Sequence, residues 1–214
     1  MIDPNEYFKS FLDEDKPKDR IMETLQGNLS EGEEPFNIIK KGLVPALDMI
    51  GDQFSKGTLY IPELILSGKI MKECLEWLKS RFKFDSEQNL GTIILGTVKG
   101  DLHDIGKNLV GMIAEASGFR VVDIGIDVSS EKFLDAIQTY EPEFVGLSAL
   151  LTTTMLEMKK TVGLIKGSDV KGKTKVIVGG APLTETFAEK IGADAFGRDA
   201  VDGVIKIKSM LGIK

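Results

Sequence analysis

The sequence predicts an α/β protein in two parts, a small N-terminal helical bundle followed by a flavodoxin-like, doubly wound parallel sheet of five strands. Three observations predict it. Before residue 90 the apolar residues recur at helical spacing. After it, short apolar runs alternate strictly with amphipathic stretches. Composition also shifts, with glycine and β-branched residues concentrated in the second part. Residues 1–89 carry 12 Lys/Arg against 17 Asp/Glu, a net of −5, whereas residues 90–214 carry 15 against 16, a net of −1. Domains of 1–89 and 90–214 follow, with the boundary in FKFDSEQNLG (82–91).

In the first part a helix is expected from about Lys18 to Asn28, with Ile21, Met22 and Leu25 inward. Phe36, Ile39, Leu43, Leu47 and Ile50 form a second amphipathic stretch, inside which Pro45 either kinks a helix or starts one. GDQFSKGTLYIP (51–62) breaks the periodicity with two glycines and reads as a loop between helices. From Pro62 to Phe82 the apolar residues Leu64, Ile65, Ile70, Met71, Leu75, Leu78 and Phe82 fit one buried helical face. Pro62 suits the first turn, where its missing N–H costs nothing.

In the second part, TIILGTV (92–98) is a continuous apolar run of the kind a buried parallel strand needs. A glycine-containing loop follows, then a helix through Leu109, Val110, Ile113 and Ala116 that closes at Gly118. Strand 120–125, helix 130–140, strand 144–150, a helix from Met155 to Lys166, strand 175–180, helix 183–192, a short edge strand 194–197 and a helix from Ala200 to Leu211 complete the alternation. Five strands in this length suit a flavodoxin-like order better than a six-strand dinucleotide fold.

Composition excludes several classes. The chain of 214 residues is 42% hydrophobic and 28% charged, ordinary for a globular protein. No apolar run approaches the length of a membrane span, and the N-terminus has neither a basic leader nor an apolar core, so no secretory signal is expected. The single cysteine, Cys74, cannot form an internal disulfide and reads as a buried structural thiol in a reducing, cytoplasmic setting. A net charge of −6 without a basic stripe makes nucleic acid a poor partner. No GxGxxG or Walker signature and no hydrolase triad is present. The eight methionines, among them Met71, Met155 and Met158, read as core fillers.

In open α/β sheets ligands bind beyond the C-terminal strand ends, at the switch in strand order. Three unusual segments fall there: KGDLHDIGKN (99–108), LSALLTTT (147–154) and GGAP (179–182). His103, the only histidine, lies in a loop between Gly100 and Gly106 with Asp101 two residues before it. One reading makes His103 a metal ligand whose far nitrogen donates to Asp101. The other makes it an exposed loop histidine, with Asp101 capping the next helix. A lone histidine does not make a zinc site, so the remaining ligands would come from a cofactor. Ser148 and Thr152 to Thr154 offer hydroxyls at a strand end or cap the helix that follows. Gly179 and Gly180 mark either close approach of a ligand or a tight turn.

Taken together, Asp101-Leu-His103-Asp104-Ile105-Gly106, then Ser148-Ala-Leu150, then Gly179-Gly180 resembles the cobalamin-binding signature Asp-x-His-x-x-Gly, Ser-x-Leu, Gly-Gly, in order and each at a strand end. GDQFSKGTLYIPELILSGKIMK is similar to the segment between cap helices in corrinoid methyl carriers. The resemblance runs from about residue 18 to the C-terminus. It extends to the small corrinoid proteins of anaerobic methyltransferase systems and to the cap and cobalamin modules of methionine synthase.

That resemblance implies a helical cap over a Rossmann-like cobalamin domain, and a cobalamin or related corrinoid cycling through methyl, Co(I) and Co(II) forms. It implies that the corrinoid's lower base is detached and threaded beside the sheet, with His103 taking the vacated position on cobalt. Asp101 would hydrogen-bond the far nitrogen, and Thr154, where the family commonly has serine, would extend the relay. Asp104, Ile105 and Gly106 belong to the same cofactor-binding motif. Ser148, Leu150, Thr152, Gly179 and Gly180 would line the slot for the nucleotide tail, while Phe54 and Ile61 would cover the upper corrin face. The implied function is carriage of a methyl group in one-carbon metabolism. A donor-specific methyltransferase would load it, a second methyltransferase would pass it to tetrahydrofolate or a thiol, and a reductive activase would maintain the cobalt. The chain would then have no catalytic residues of its own beyond the ligand relay. The alternative is a cobalamin-dependent sensor or regulator, and a mutase small subunit would lack the helical cap.

Overall fold

The computed structural model describes residues 2–81, 90–170 and 172–213. The chain divides into two compact units, Met1–Phe82 and Lys83–Lys214. The boundary segment expected at 82–91 lies, over 82–89, outside the described residues, as does Phe82 at the end of the last expected helix.

The first unit is helical: α1 (Pro4–Phe11), α2 (Pro17–Ser30), α3 (Pro35–Ile38), a π-helical turn (Ile39–Leu43), α4 (Val44–Ser55) and α5 (Ile61–Lys79). Each α-helix carries a proline in its first turn, where the fixed φ is favourable and no intrahelical N–H is forfeited. Pro45 lies where the π-helical turn passes into α4, within a backbone that stays right-handed helical from Pro35 to Ser55. Apolar periodicity does not foreshadow α1. It is only two turns long and buries Tyr7 and Phe11, four residues apart, behind an Asp3 cap whose side chain accepts from the Asn5 N–H at 2.9 Å. Two expectations are corrected. Gly51–Ser55 continue α4, so the loop is confined to 56–60. Ile65 is 66% exposed, because the buried face of α5 runs through Ser67, Ile70, Met71, Cys74, Leu75 and Leu78.

The second unit is a parallel sheet of β1 (Thr92–Thr97), β2 (Arg120–Asp123), β3 (Phe144–Ser148), β4 (Lys175–Gly179) and β5 (Ala195–Gly197) in the order β2-β1-β3-β4-β5. Between and after them come α6 (Ile105–Ala116), α7 (Ser130–Tyr140), α8 (Met155–Gly167), α9 (Glu185–Ile191) and α10 (Ala200–Met210). β1 to β4 end one or two residues earlier than their apolar runs, and β5 ends at Gly197 as expected. Side-chain alternation splits each strand between two cores. Ile93, Leu95, Phe144 and Ile177 pack on one face with Ala114 of α6 and Val204 and Ile207 of α10. Ile94, Val145, Leu147, Val176 and Val178 pack on the other with Phe133, Met158, Val162 and Ala188 of α7, α8 and α9. Continuous burial on both faces is why the strands read as unbroken apolar runs. The chain leaves β1 for β2 on one side and returns to β3 on the other, so the switch in strand order falls between β1 and β3. No helix among the described residues is long and apolar enough to cross a membrane.

Candidate functional site

The loops after β1 and β3 meet at one carboxylate. Asp101 is fully buried, and both its oxygens face donors. Oδ1 accepts from the His103 N–H at 3.1 Å and lies 2.7 Å from His103 Nδ1. Oδ2 accepts from the N–H groups of Leu150 at 2.7 Å and Leu151 at 3.3 Å. The Thr154 hydroxyl is 2.8 Å both from Oδ2 and from the Leu151 carbonyl, and with one hydrogen it donates to one of them at a time. Burial by itself pushes the Asp101 carboxyl up. The hydrogen bonds from Leu150, His103 and Thr154 together outweigh it and hold the group at about 2.

An ionised carboxylate only accepts, so the proton between Asp101 and His103 resides on Nδ1. The neutral imidazole then has its lone pair on Nε2. The His103 side chain is half exposed, with 50% of its surface accessible. A buried anion on one ring nitrogen and a free lone pair on the other is the arrangement of a supported metal ligand. Among the described residues no group of three or more His, Cys, Asp or Glu is arranged to hold a metal ion. A metal bound by His103 has to bring its other ligands.

The capping alternative for Asp101 does not hold. Asp104 occupies the N-cap position of α6, and its carbonyl accepts from the Asn108 N–H at 2.8 Å. Ile105 and Gly106 are the first two residues of that helix, so Gly106 is not a loop glycine. Thr154 stands at the N-cap of α8 but makes no side-chain cap bond, its hydroxyl being turned to Asp101. Ser148 ends β3 half-buried, its carbonyl accepting from the Val98 N–H at 3.0 Å. Leu150 contributes its N–H to Asp101 and leaves its side chain 42% exposed beside the exposed Thr152. Gly179 ends β4. Gly180 follows with φ 138°, and a Cβ there would sit 1.8 Å from the Ala149 carbonyl oxygen. Gly180 therefore lets β4 close against the end of β3, whereas a Cβ on Gly179 would face the Gly197 carbonyl of β5 at 3.3 Å. Phe54, on α4, and Ile61, which opens α5, are 37% and 61% exposed in the first unit.

Three contributors are not evident from the sequence pattern. The Leu151 N–H completes the Asp101 shell. Thr97, fully buried at the end of β1, donates its hydroxyl to the His103 carbonyl at 2.8 Å. Asp127 accepts from the Gly100 N–H at 2.7 Å. All three act across loops, and only the Gly125–Asp127 turn composition carries a local signal. The one buried lysine on α6, Lys107, bonds Asn108 Oδ1 at 2.9 Å and pairs with Asp123 at the end of β2.

Residues 91–205 match a family described as the B12 binding domain, and residues 17–79 match a second family of the same description. A curated relative, trimethylamine corrinoid protein 2 of Methanosarcina mazei, is 37% identical over 191 residues, spanning 88% of each chain. The solved monomethylamine corrinoid protein of Methanosarcina barkeri superposes with a TM-score of 0.86 at 27% identity, covering 95% of this chain and 96% of that one. The methanol:cobalamin methyltransferase complex MtaBC of the same organism contains a chain that matches with a TM-score of 0.56 at 26% identity, over 97% of this chain and 78% of that one.

Proposed function

The chain belongs to the B12-binding family of corrinoid proteins, and from that premise we propose that it carries a methyl group on a bound corrinoid between two methyltransferases. The observation that carries the reading is the His103–Asp101 pair at the β1/β3 switch point, with Nδ1 held at 2.7 Å by a buried carboxylate and Nε2 left for cobalt.

Two further features fit the cofactor. A Cβ built on Gly106 meets nothing within 4 Å. A glycine in a helix costs about 1 kcal/mol relative to alanine, and here no packing within the protein calls for it. The open space there, one turn from His103, would accommodate a group from outside. The side chains of Leu102 and Leu150, 66% and 42% exposed, present apolar surface at the same strand ends, as a large, largely apolar macrocycle requires.

When bound, the corrinoid supplies the cobalt that takes up and releases the methyl group. The protein's part is to hold, orient and shield. Asp101 keeps the proton on Nδ1 and so raises the donor strength of Nε2. Because Asp101 stays ionised down to about pH 2, that support is constant across physiological pH. Leu150 and Thr154 fix the carboxylate, and Ser148, Thr152, Gly179 and Gly180, at the ends of β3 and β4, would hold the lower-base tail. Asp104, Ile105 and Gly106 begin α6 and would meet the edge of the corrinoid. Phe54 and Ile61, exposed in the helical unit, would offer apolar surface to the corrinoid.

The partners follow from the same reading. A donor-specific methyltransferase loads the carrier, a reading supported by a relative's likeness within a methyltransferase complex. A second methyltransferase unloads it to tetrahydrofolate or a thiol, and a reductive activase restores the cobalt. The similar proteins named for trimethylamine and monomethylamine favour a methylamine as donor, in a cytoplasmic setting. The test is reconstitution of the full chain with hydroxocobalamin. Stoichiometric uptake that survives gel filtration, followed by transfer of labelled methyl from a methylamine through a matching methyltransferase, supports the reading. Failure of folded protein to retain any corrinoid overturns it.

A further inference from the structure

We infer that Asp127 is a positioning residue for the histidine ligand, clamping from a left-handed backbone conformation the turn that carries Asp101 and His103. The inference rests on the reading of His103 as the cobalt ligand.

Among the described non-glycine residues, Asp127 and Glu141 have positive φ, at 52° and 44°. Glu141 ends α7, where a left-handed residue is a common helix terminus. Asp127 has no such local cause. It lies in the loop after β2, beside Val128, whose bridge to Val98 brings that loop alongside the histidine loop. A non-glycine residue persists in this region only where its surroundings over-determine it, and asparagine and aspartate tolerate it best.

What determines it here is the turn at 98–101. That turn is closed by the Asp101 N–H donating to the Val98 carbonyl at 3.1 Å, with Gly100 at φ 81° in the position that requires it. Asp127 grips both sides of the next peptide. Its Oδ1 accepts from the Gly100 N–H at 2.7 Å, and its own N–H donates to the Asp101 carbonyl at 3.1 Å. The second bond depends on the left-handed backbone, because that conformation turns the N–H towards Asp101 while the side chain reaches Gly100. Thr97 adds a third anchor at the His103 carbonyl. The main chain of residues 100, 101 and 103 is thus fixed independently of the Asp101 side chain. Ligand geometry tolerates errors of only about 0.5 Å. Asp101 then meets Nδ1 with its backbone already in place.

The test uses the full chain reconstituted with hydroxocobalamin and reduced to Co(II), as wild type and as His103→Ala, Asp127→Ala, Asp127→Gly and Asp127→Asn. Two readouts are taken: the fraction of the cobalt EPR signal split by histidine nitrogen, and amide hydrogen exchange at residues 100–103 in corrinoid-free protein. Loss of one hydrogen bond predicts a fall of about three- to tenfold in the ratio of histidine-coupled to uncoupled cobalt for Asp127→Ala. Asp127→Asn, which keeps both an acceptor and tolerance for positive φ, restores it. Asp127→Gly keeps only the backbone and falls between. Exchange at Gly100 quickens in the Ala and Gly variants and not in Asn. Wild-type coupling and exchange in Asp127→Ala, or in Asp127→Gly should Asp127→Ala not fold, overturns the inference while leaving the ligand reading intact. Absence of histidine coupling in the wild type itself overturns both.

Discussion

Replacing Asp101 by asparagine tests the electrostatic design of the site without changing its shape. Both carboxylate oxygens face donors. An amide offers one accepting and one donating edge, so either rotamer sets an N–H₂ against at least one backbone N–H. On the Oδ2 side the opposed donors are the Leu150 and Leu151 N–H groups, while the Thr154 hydroxyl can turn to the Leu151 carbonyl. Leaving buried donors unmatched costs about 1–3 kcal/mol each, with hydrogen bonds to a charged acceptor at the upper end. Asp101→Asn is therefore expected to lose about 3 kcal/mol of unfolding free energy at pH 7. The pH dependence has a definite sign. The folded-state value, about 2, lies below the ordinary 3.8, so the contribution is fully present above the unfolded value and disappears as pH falls through the folded one. Linkage makes it about 2 kcal/mol in all, with about half gone at pH 3. Urea unfolding of both proteins at pH 7 and pH 3 reads the difference, in which the other carboxylates cancel. The gap should narrow by about 1 kcal/mol at the lower pH. A variant as stable as wild type at pH 7, or a gap independent of pH, would refute the assignment of Asp101 as a buried, multiply bonded anion.

Thr154→Val removes one donor from Asp101 and should lower stability by about 1–2 kcal/mol in the same urea assay, whereas Thr154→Ser should stay near wild type. The two site glycines should separate. Gly180→Ala places a Cβ 1.8 Å from the Ala149 carbonyl oxygen at φ 138° and should lower Tm sharply or prevent folding. Gly106→Ala should leave the unfolding free energy unchanged or raise it by about 1 kcal/mol at most, yet reduce corrinoid uptake by the folded protein. Burial pushes the Cys74 thiol up to about 12, so an aromatic disulfide reagent at pH 8 should label it only when urea unfolds the chain.

The sheet was legible because parallel strands covered on both faces leave continuous β-branched runs, and TIILGT and KVIVG are such runs. Their ends were less so, since Val98, Leu150 and Gly180 belong to apolar runs while their backbones already serve turns. In the helical unit the misread segment was 51–55. Gly51 weakens α4 without ending it, because its φ stays negative, and the break comes only after Ser55, with Gly57 at φ 74°. Of the site, the residues that could be seen were those whose spacing is local: Asp101 with His103, and Gly179 with Gly180. The bonds that make Asp101 an anion join positions 49, 50 and 53 residues apart. The clamp from Asp127 spans 27. Neither pairing is written in local spacing, since both exist only once β1 pairs with β2 and β3.

The central claim, that Nε2 of His103 is offered to cobalt, is tested most directly by Co(II) EPR of the reconstituted chain grown with ordinary and with ¹⁵N-labelled histidine. The account predicts that each cobalt line is split into a triplet by the ordinary nitrogen and a doublet by the labelled one, and that His103→Ala abolishes both. A splitting unchanged by the label, or retained without His103, would mean that the corrinoid keeps another lower ligand, and the account would be wrong.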